Sequence, residues 1–187
     1  MKLGVSACLI GTPCRYDGVG SSDKFVIGTL QKYFDTVAYC PETIIWGSPR
    51  TAVRQVQSES GDLRIMTSTK DPIDVTAELE EISIKCANKI QDDDLCGFIL
   101  KSSSPTCGLE RVKVYKPFNA PSVKQGVGIF AKQIKEKYPY LPVEEEGRLI
   151  DAWLRENFLM QIFAYEDVHK FLKSNPSLND LVIFHTS

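Results

Sequence analysis

Cys8, Cys40 and Cys107 each follow a short apolar run: Leu3 to Ala7, Thr36 to Tyr39 and Cys96 to Leu100. Such runs read as buried strands of an α/β sheet, and parallel sheets gather their functional loops at the carboxyl ends of the strands. Three thiols from distant segments are therefore expected to converge on one sheet edge. Three soft ligands without an evident fourth are too few for a structural zinc or a fully ligated iron–sulfur cluster, which normally take four. They suit a metal with an open position acting as a Lewis acid, and iron in sulfur-rich surroundings favours a sulfur-bearing ligand. Burial as three small hydrophobes is the competing reading.

The same loops carry proton-handling groups. Glu42 lies two residues beyond Cys40, placed to act as general base or acid. Ser102, Ser103, Ser104 and Thr106 supply four hydroxyls before Cys107, able to bind a small polar substrate or cluster sulfides, although a plain turn accounts for most of them. Arg15, Arg50, Arg54, Lys101 and Arg111 lie in or beside these loops, whereas acids concentrate on helices and in Asp92-Asp93-Asp94. That asymmetry describes a basic mouth on an acidic body, suited to a phosphate-bearing partner. Of the other cysteines, Cys86 and Cys96 read as core, and Cys14 is left open between a spare thiol and a site member.

These residues need elements to position them. Ser21-Ser22-Asp23 offers N-caps for a helix whose Val26, Leu30, Tyr33 and Phe34 share one face. Residues 41 to about 72 read as polar and irregular, with Leu63 to Met66 a short edge strand. Asp74 or Thr76 caps the clearest helix, with Leu79, Ile82, Cys86 and Ile90 on one stripe. Val112 to Tyr115 reads as another strand, 126–138 as a helix with Ile129, Phe130 and Ile134 inward, and 141–143 as a short extended segment. A last long helix over roughly 144–165 carries Leu149, Trp153, Phe158, Ile162 and Phe163. Alternating strands and helices predict a small doubly wound α/β domain over 1–140 with a mostly parallel sheet. A C-terminal helical appendage follows, ending in an apolar run over 181–187 that looks cut off from a further domain.

A length of 187 residues allows one domain plus an appendage. Apolar residues at 43% and charged residues at 25% set aside disordered, collagen-like and coiled-coil classes. A formal net charge of −2 argues against a strongly basic nucleic-acid domain, though not against a local basic patch. The N-terminal apolar run is broken by Gly11, Pro13, Arg15 and Asp17, so no signal-peptide core is present. No stretch approaches the roughly 20 apolar residues of a membrane helix. The expectation is a soluble, cytoplasmic protein whose cysteines are ligands, nucleophiles or core rather than disulfides.

Four separated motifs in order carry a resemblance: Val5-Ser6-Ala7-Cys8-Leu9 followed by Arg15-Tyr16-Asp17-Gly18; Cys40-Pro41-Glu42; Gly47-Ser48-Pro49-Arg50; and Ser104-Pro105-Thr106-Cys107-Gly108. Over about residues 1–140 they resemble the DUF523 family, which includes thiouracil desulfurase. The resemblance implies a Rossmann-like or flavodoxin-like α/β fold and a [4Fe-4S] cluster held by only three cysteines, Cys8, Cys40 and Cys107. The fourth iron would capture the sulfur of a thiocarbonyl substrate, a thiolated uracil either free or as 4-thiouridine, including in tRNA. Glu42 and Ser104 match the family's catalytic carboxylate and hydroxyl, while Ser6, Arg15, Asp17, Arg50, Ser102 and Ser103 are candidate contacts to substrate or its phosphate. Leu141 to Leu149, Leu154 to Phe158 and Phe163 to Tyr165 resemble the connector of DUF523–DUF1722 fusions, over 141–180. Leu181 to Thr186 resembles the first residues of the DUF1722 domain. Cys14 and Ile44-Ile45-Trp46 depart from the family pattern. The expected reaction is non-redox hydrolytic desulfuration. An electron-transfer or otherwise non-catalytic iron–sulfur module and a zinc-binding domain are the competing classes.

Overall fold

The computed structural model describes residues 1–116 and 121–186. The first half of the chain forms β1 (Lys2–Ser6), α1 (Lys24–Gly28), β2 (Asp35–Tyr39), α2 (Pro41–Trp46), β3 (Val53–Gln57), β4 (Leu63–Thr67) and α3 (Thr76–Asp92). The second half forms β5 (Leu95–Leu100), β6 (Val112–Tyr115), β7 (Val123–Gly126), α4 (Ile129–Lys137), β8 (Val143–Glu145), α5 (Ala152–Lys173) and α6 (Leu178–Thr186). Strands β2-β1-β5-β8 make a wholly parallel sheet. Every residue of β5 is buried, as expected of a parallel strand covered on both faces.

One face of this sheet packs Leu3, Val5 and Ile99 against Val26 and Leu30 on one side and Phe158 and Ile162 of α5 on the other. The opposite face packs Phe98 and Leu100 against Cys86 and Ile90 of α3 and Phe130 and Ile134 of α4. The three-layer α/β architecture is Rossmann-like. Two strand glycines permit the close approach: a Cβ at Gly4 would overlap the Phe98 ring, and one at Gly97 would press on Ile162. Gly4→Ala should therefore lower unfolding free energy by about 1–3 kcal/mol, the usual cost of overpacking, read from urea denaturation.

Several elements differ from the sequence expectation. Residues 41–72 are not irregular: α2, β3 and β4 lie there, and β4-β3-β6-β7 form a second, mixed sheet. Its strands lack a clear apolar alternation, because the fully buried residue of β3 is the polar Gln55 and β4 buries only Ile65. The helix expected through Phe34 stops at Gly28 and resumes only as a single 3-10 turn, Leu30–Lys32, leaving Tyr33 exposed. Gly28 and the β-branched Thr29 are poor helix formers. Residues 126–128 precede α4 rather than begin it, because Gly126 pairs with Val112 in β7.

Nor does the last long helix begin at Glu144. Val143–Glu145 pair with Phe98–Leu100 as the edge strand β8, and α5 starts where the Asp151 carboxylate accepts the Trp153 and Leu154 N–H groups. The core thus runs past residue 140, since Leu149, Phe158 and Ile162 belong to the cluster around Leu3. Trp153 and Phe163 remain exposed. Leu181 to Thr186 lie in α6, and Ser187 is outside the described residues. Among the described residues no helix is long and apolar enough to cross a membrane.

Candidate active site

A cavity of about 260 Å³ opens at the carboxyl ends of β1, β2 and β5, with Ala52 and Val53 at the start of β3 closing another side. Cys8, Cys40 and Cys107 all line it, as do Ser6, Arg15, Glu42, Arg50, Ser102, Ser103 and Ser104. Asp17 does not: its carboxylate pairs with Arg15 at 3.4 Å and accepts the Val19 N–H, closing its own loop. Arg54 and Arg111 also lie outside the lining. The basic mouth is thereby corrected, because the cations that do reach the cavity are paired: Arg15 with Asp17, Arg50 with Glu42, and Lys101 with Glu146.

Each thiol is delivered by a short, specified piece of backbone. Cys8 sits in the single 3-10 turn Ala7–Ile10, closed by Gly11 at φ 87°, a left-handed position that costs glycine little. Cys40 is the N-cap of α2, where Pro41 starts the helix and Glu42 occupies the first turn, the placement favoured for proline and for an acid at the positive helix end. Its sulfur lies 2.9 Å from the Thr43 hydroxyl, which in turn donates to the Cys14 carbonyl. Cys107 is held by Ser104, whose Oγ accepts the Thr106 and Cys107 N–H groups at 3.2 and 3.0 Å. Ser6 and Ser104 favour the Cys107 thiolate, against the burial that raises it.

Gln55 anchors this loop from the second sheet. Its Nε2 donates to the carbonyls of Pro105 and Val127 at 3.0 and 2.7 Å. Gln55→Leu would strand both acceptors, so a loss of about 2–4 kcal/mol is expected, measurable by chemical denaturation. Gln55 is not among the residues that sequence reasoning singles out, since its partners lie 50 and 72 residues away.

The remaining cysteines separate by environment. Cys86 is buried in the α3 stripe and Cys96 donates to the Lys2 carbonyl at 3.1 Å, so both are core. Cys14 is buried and lines the cavity. A hydrogen bond with Cys40 favours its thiolate, but the hydrogen bond with Cys8 and burial outweigh this and push the Cys14 thiol up to about 11. Cys40 is raised by its hydrogen bond with Cys14 and by burial, and Cys107 is raised mainly by burial. All six cysteines are free.

Four free thiols around one cavity form a soft donor set. Among the described residues, no three His, Cys, Asp or Glu side chains are grouped to hold a single metal ion. A lone zinc needs its sulfurs focused on one point, each about 2.3 Å from the metal. Cysteine thiolates are the ligands that iron–sulfur clusters take, and four such thiols border this one cavity.

Glu42 is only 5% exposed. Its carboxylate pairs with the equally buried Arg50, which also donates to the Thr51 carbonyl at 3.1 Å. Lys101, Ser102 and Glu146 form a second polar cluster on the opposite loop. Glu146 is a site residue that sequence reasoning places only in the connector, and no spacing signal links it to Ser102.

No curated protein sequence matches the chain. Among solved structures, a [4Fe-4S]-dependent thiouracil desulfidase, TudS (DUF523Vcz), is similar at 26% identity with a TM-score of 0.61. The similarity covers 83% of this chain and 97% of that one. The family described as 2-thiouracil desulfurase matches residues 3–146, a span that takes in all three thiol loops and ends on Glu146. By that match, over most of its length, the chain belongs to the 2-thiouracil desulfurase family.

Proposed function

We propose that this protein removes sulfur from a thiolated uracil by a non-redox hydrolysis in which water replaces sulfur at the thiocarbonyl carbon and sulfide leaves. The observation that carries the reading is the convergence of Cys8, Cys40 and Cys107 on one cavity beside the buried Glu42. Those three thiols would hold the [4Fe-4S] cluster. When bound, the cluster supplies a Lewis-acidic iron without a protein ligand, to which a thiocarbonyl sulfur can coordinate.

The chain's own residues handle water and protons. Glu42 takes the proton of the attacking water, and Arg50 holds its carboxylate in place and offsets its charge. Ser104 has both hydroxyl lone pairs occupied by backbone N–H groups, so its remaining capacity is donation of its one proton, toward the bound base. Ser6, whose Oγ accepts the Lys101 N–H at 2.9 Å, ties β1 to the same loop.

A free thiouracil suits the small cavity and its paired cations. Grip on RNA relies on Lys and Arg available to phosphates, and Arg15, Arg50 and Lys101 are each engaged by a carboxylate. 4-Thiouridine in tRNA is the second substrate class, with its RNA grip supplied by a DUF1722 domain, whose first residues the stretch over 181–187 resembles. The deciding experiment is anaerobic cluster reconstitution followed by incubation with 2-thiouracil, 4-thiouridine and thiolated tRNA, tracking thiocarbonyl absorbance and released sulfide together. Loss of sulfur from 2-thiouracil before the RNA is expected. A reconstituted cluster with no sulfur loss from any of the three would sink the reading.

A further inference from the structure

We infer that Glu146 is a positioning residue that sets the hydrogen-bond polarity of Ser102, making that hydroxyl an acceptor for a ring N–H of the substrate base. The inference rests on the thiouracil reading above. Three donors converge on the Glu146 carboxylate: the Lys101 ammonium, the Ser102 backbone N–H at 2.7 Å and the Ser102 hydroxyl at 2.7 Å. A serine hydroxyl has one proton and two lone pairs. The proton of Ser102 goes to Glu146, and one lone pair accepts from the Lys101 ammonium at 3.2 Å. One lone pair is left, and Ser102 lines the cavity.

Two residues along the same loop, Ser104 is polarised in the opposite sense, with its lone pairs used and its proton free to donate. The cavity wall therefore presents an acceptor at Ser102 and a donor at Ser104. A 2-thiopyrimidine with N–H groups flanking its thiocarbonyl, and a carbonyl beyond one of them, offers the complementary edge. A site built to accept an N–H disfavours a ligand lacking it, because the half-buried acceptor, once covered by that ligand, is left unpaired. Glu146 does not line the cavity and acts through Ser102.

The test compares 2-thiouracil with its 1-methyl and 3-methyl derivatives, by calorimetric binding to cluster-loaded protein in a Glu42→Gln background so that ligand is not consumed. Sulfide release by the protein with Glu42 intact is followed alongside. At least one methyl derivative should bind about tenfold or more weakly, the worth of one such hydrogen bond. Ser102→Ala and Glu146→Gln should each shrink that ratio severalfold, since the amide introduced by the second substitution can donate to the Ser102 hydroxyl and reverse its sense. Combined, they should shrink it no further than Ser102→Ala alone. A ratio unchanged by either variant, additive effects of the two, or absence of any binding overturns the inference. Sulfide release with an unchanged ratio refutes the role of Glu146 alone, whereas a lost ratio without sulfide release supports it and counts against the desulfurase reading.

Discussion

Replacing Cys107 with alanine should abolish cluster assembly, leaving iron and acid-labile sulfide near background after anaerobic reconstitution. Cys107 is buried in the cavity and fixed by the Ser104 turn, by Gly108 donating to the Ser104 carbonyl at 2.9 Å, and by α4, whose Phe130 N–H binds the Thr106 carbonyl at 2.9 Å. With the loop so held, no other residue of it can swing into the place of Cys107. Cys8→Ala and Cys40→Ala should behave alike. Cys86→Ala and Cys96→Ala should assemble the cluster normally, because their thiols fill the core away from the cavity. Cys14→Ala should also retain it, which separates the fourth thiol of the cavity from the three proposed ligands. Normal iron content in Cys107→Ala protein would overturn the ligand assignment.

Glu42→Gln should lower turnover by about 10²–10⁴-fold, the usual worth of a general base, with iron content and the cluster absorption unchanged. The amide keeps the shape of the side chain and one oxygen for Arg50, but it takes no proton at working pH. Some stability is lost as well, because the buried Arg50 keeps its charge without a full partner. Turnover must therefore be compared well below the unfolding transition of the variant. Glu42→Asp, which preserves the charge but shortens the reach, should recover part of the rate. Glu42→Gln protein as fast as the unaltered chain would remove Glu42 from the proton path.

The thiol loops are legible in the sequence because each signal is local. An apolar run marks a strand, the residue after it marks the strand's carboxyl end, and parallel topology brings those ends together. The pairing of Arg50 with Glu42 is less visible, although both residues lie in motifs whose residue types point to chemistry. Lys101 reads in sequence as part of an open basic mouth, and only the fold shows that Glu146, carried by a chain that first passes through the second sheet and α4, neutralises it. Asp17, expected at the substrate, instead closes a loop with Arg15, a contact between near neighbours that residue type alone does not reveal.

By itself, the sequence determined the parallel strands β1, β2 and β5, the buried stripes of α3 and α4 that cover them and the three cysteines at the strand ends, since helix and strand periodicity and turn residues act over a few positions. Tertiary structure alone decided the joining of β3 to β6 in the second sheet, the anchor from Gln55 and the sense in which Ser102 donates or accepts. These rest on hydrogen bonds closed across 44 to 72 residues of chain. A hydroxyl's polarity is set by which partners the fold delivers to it, and no local spacing encodes that.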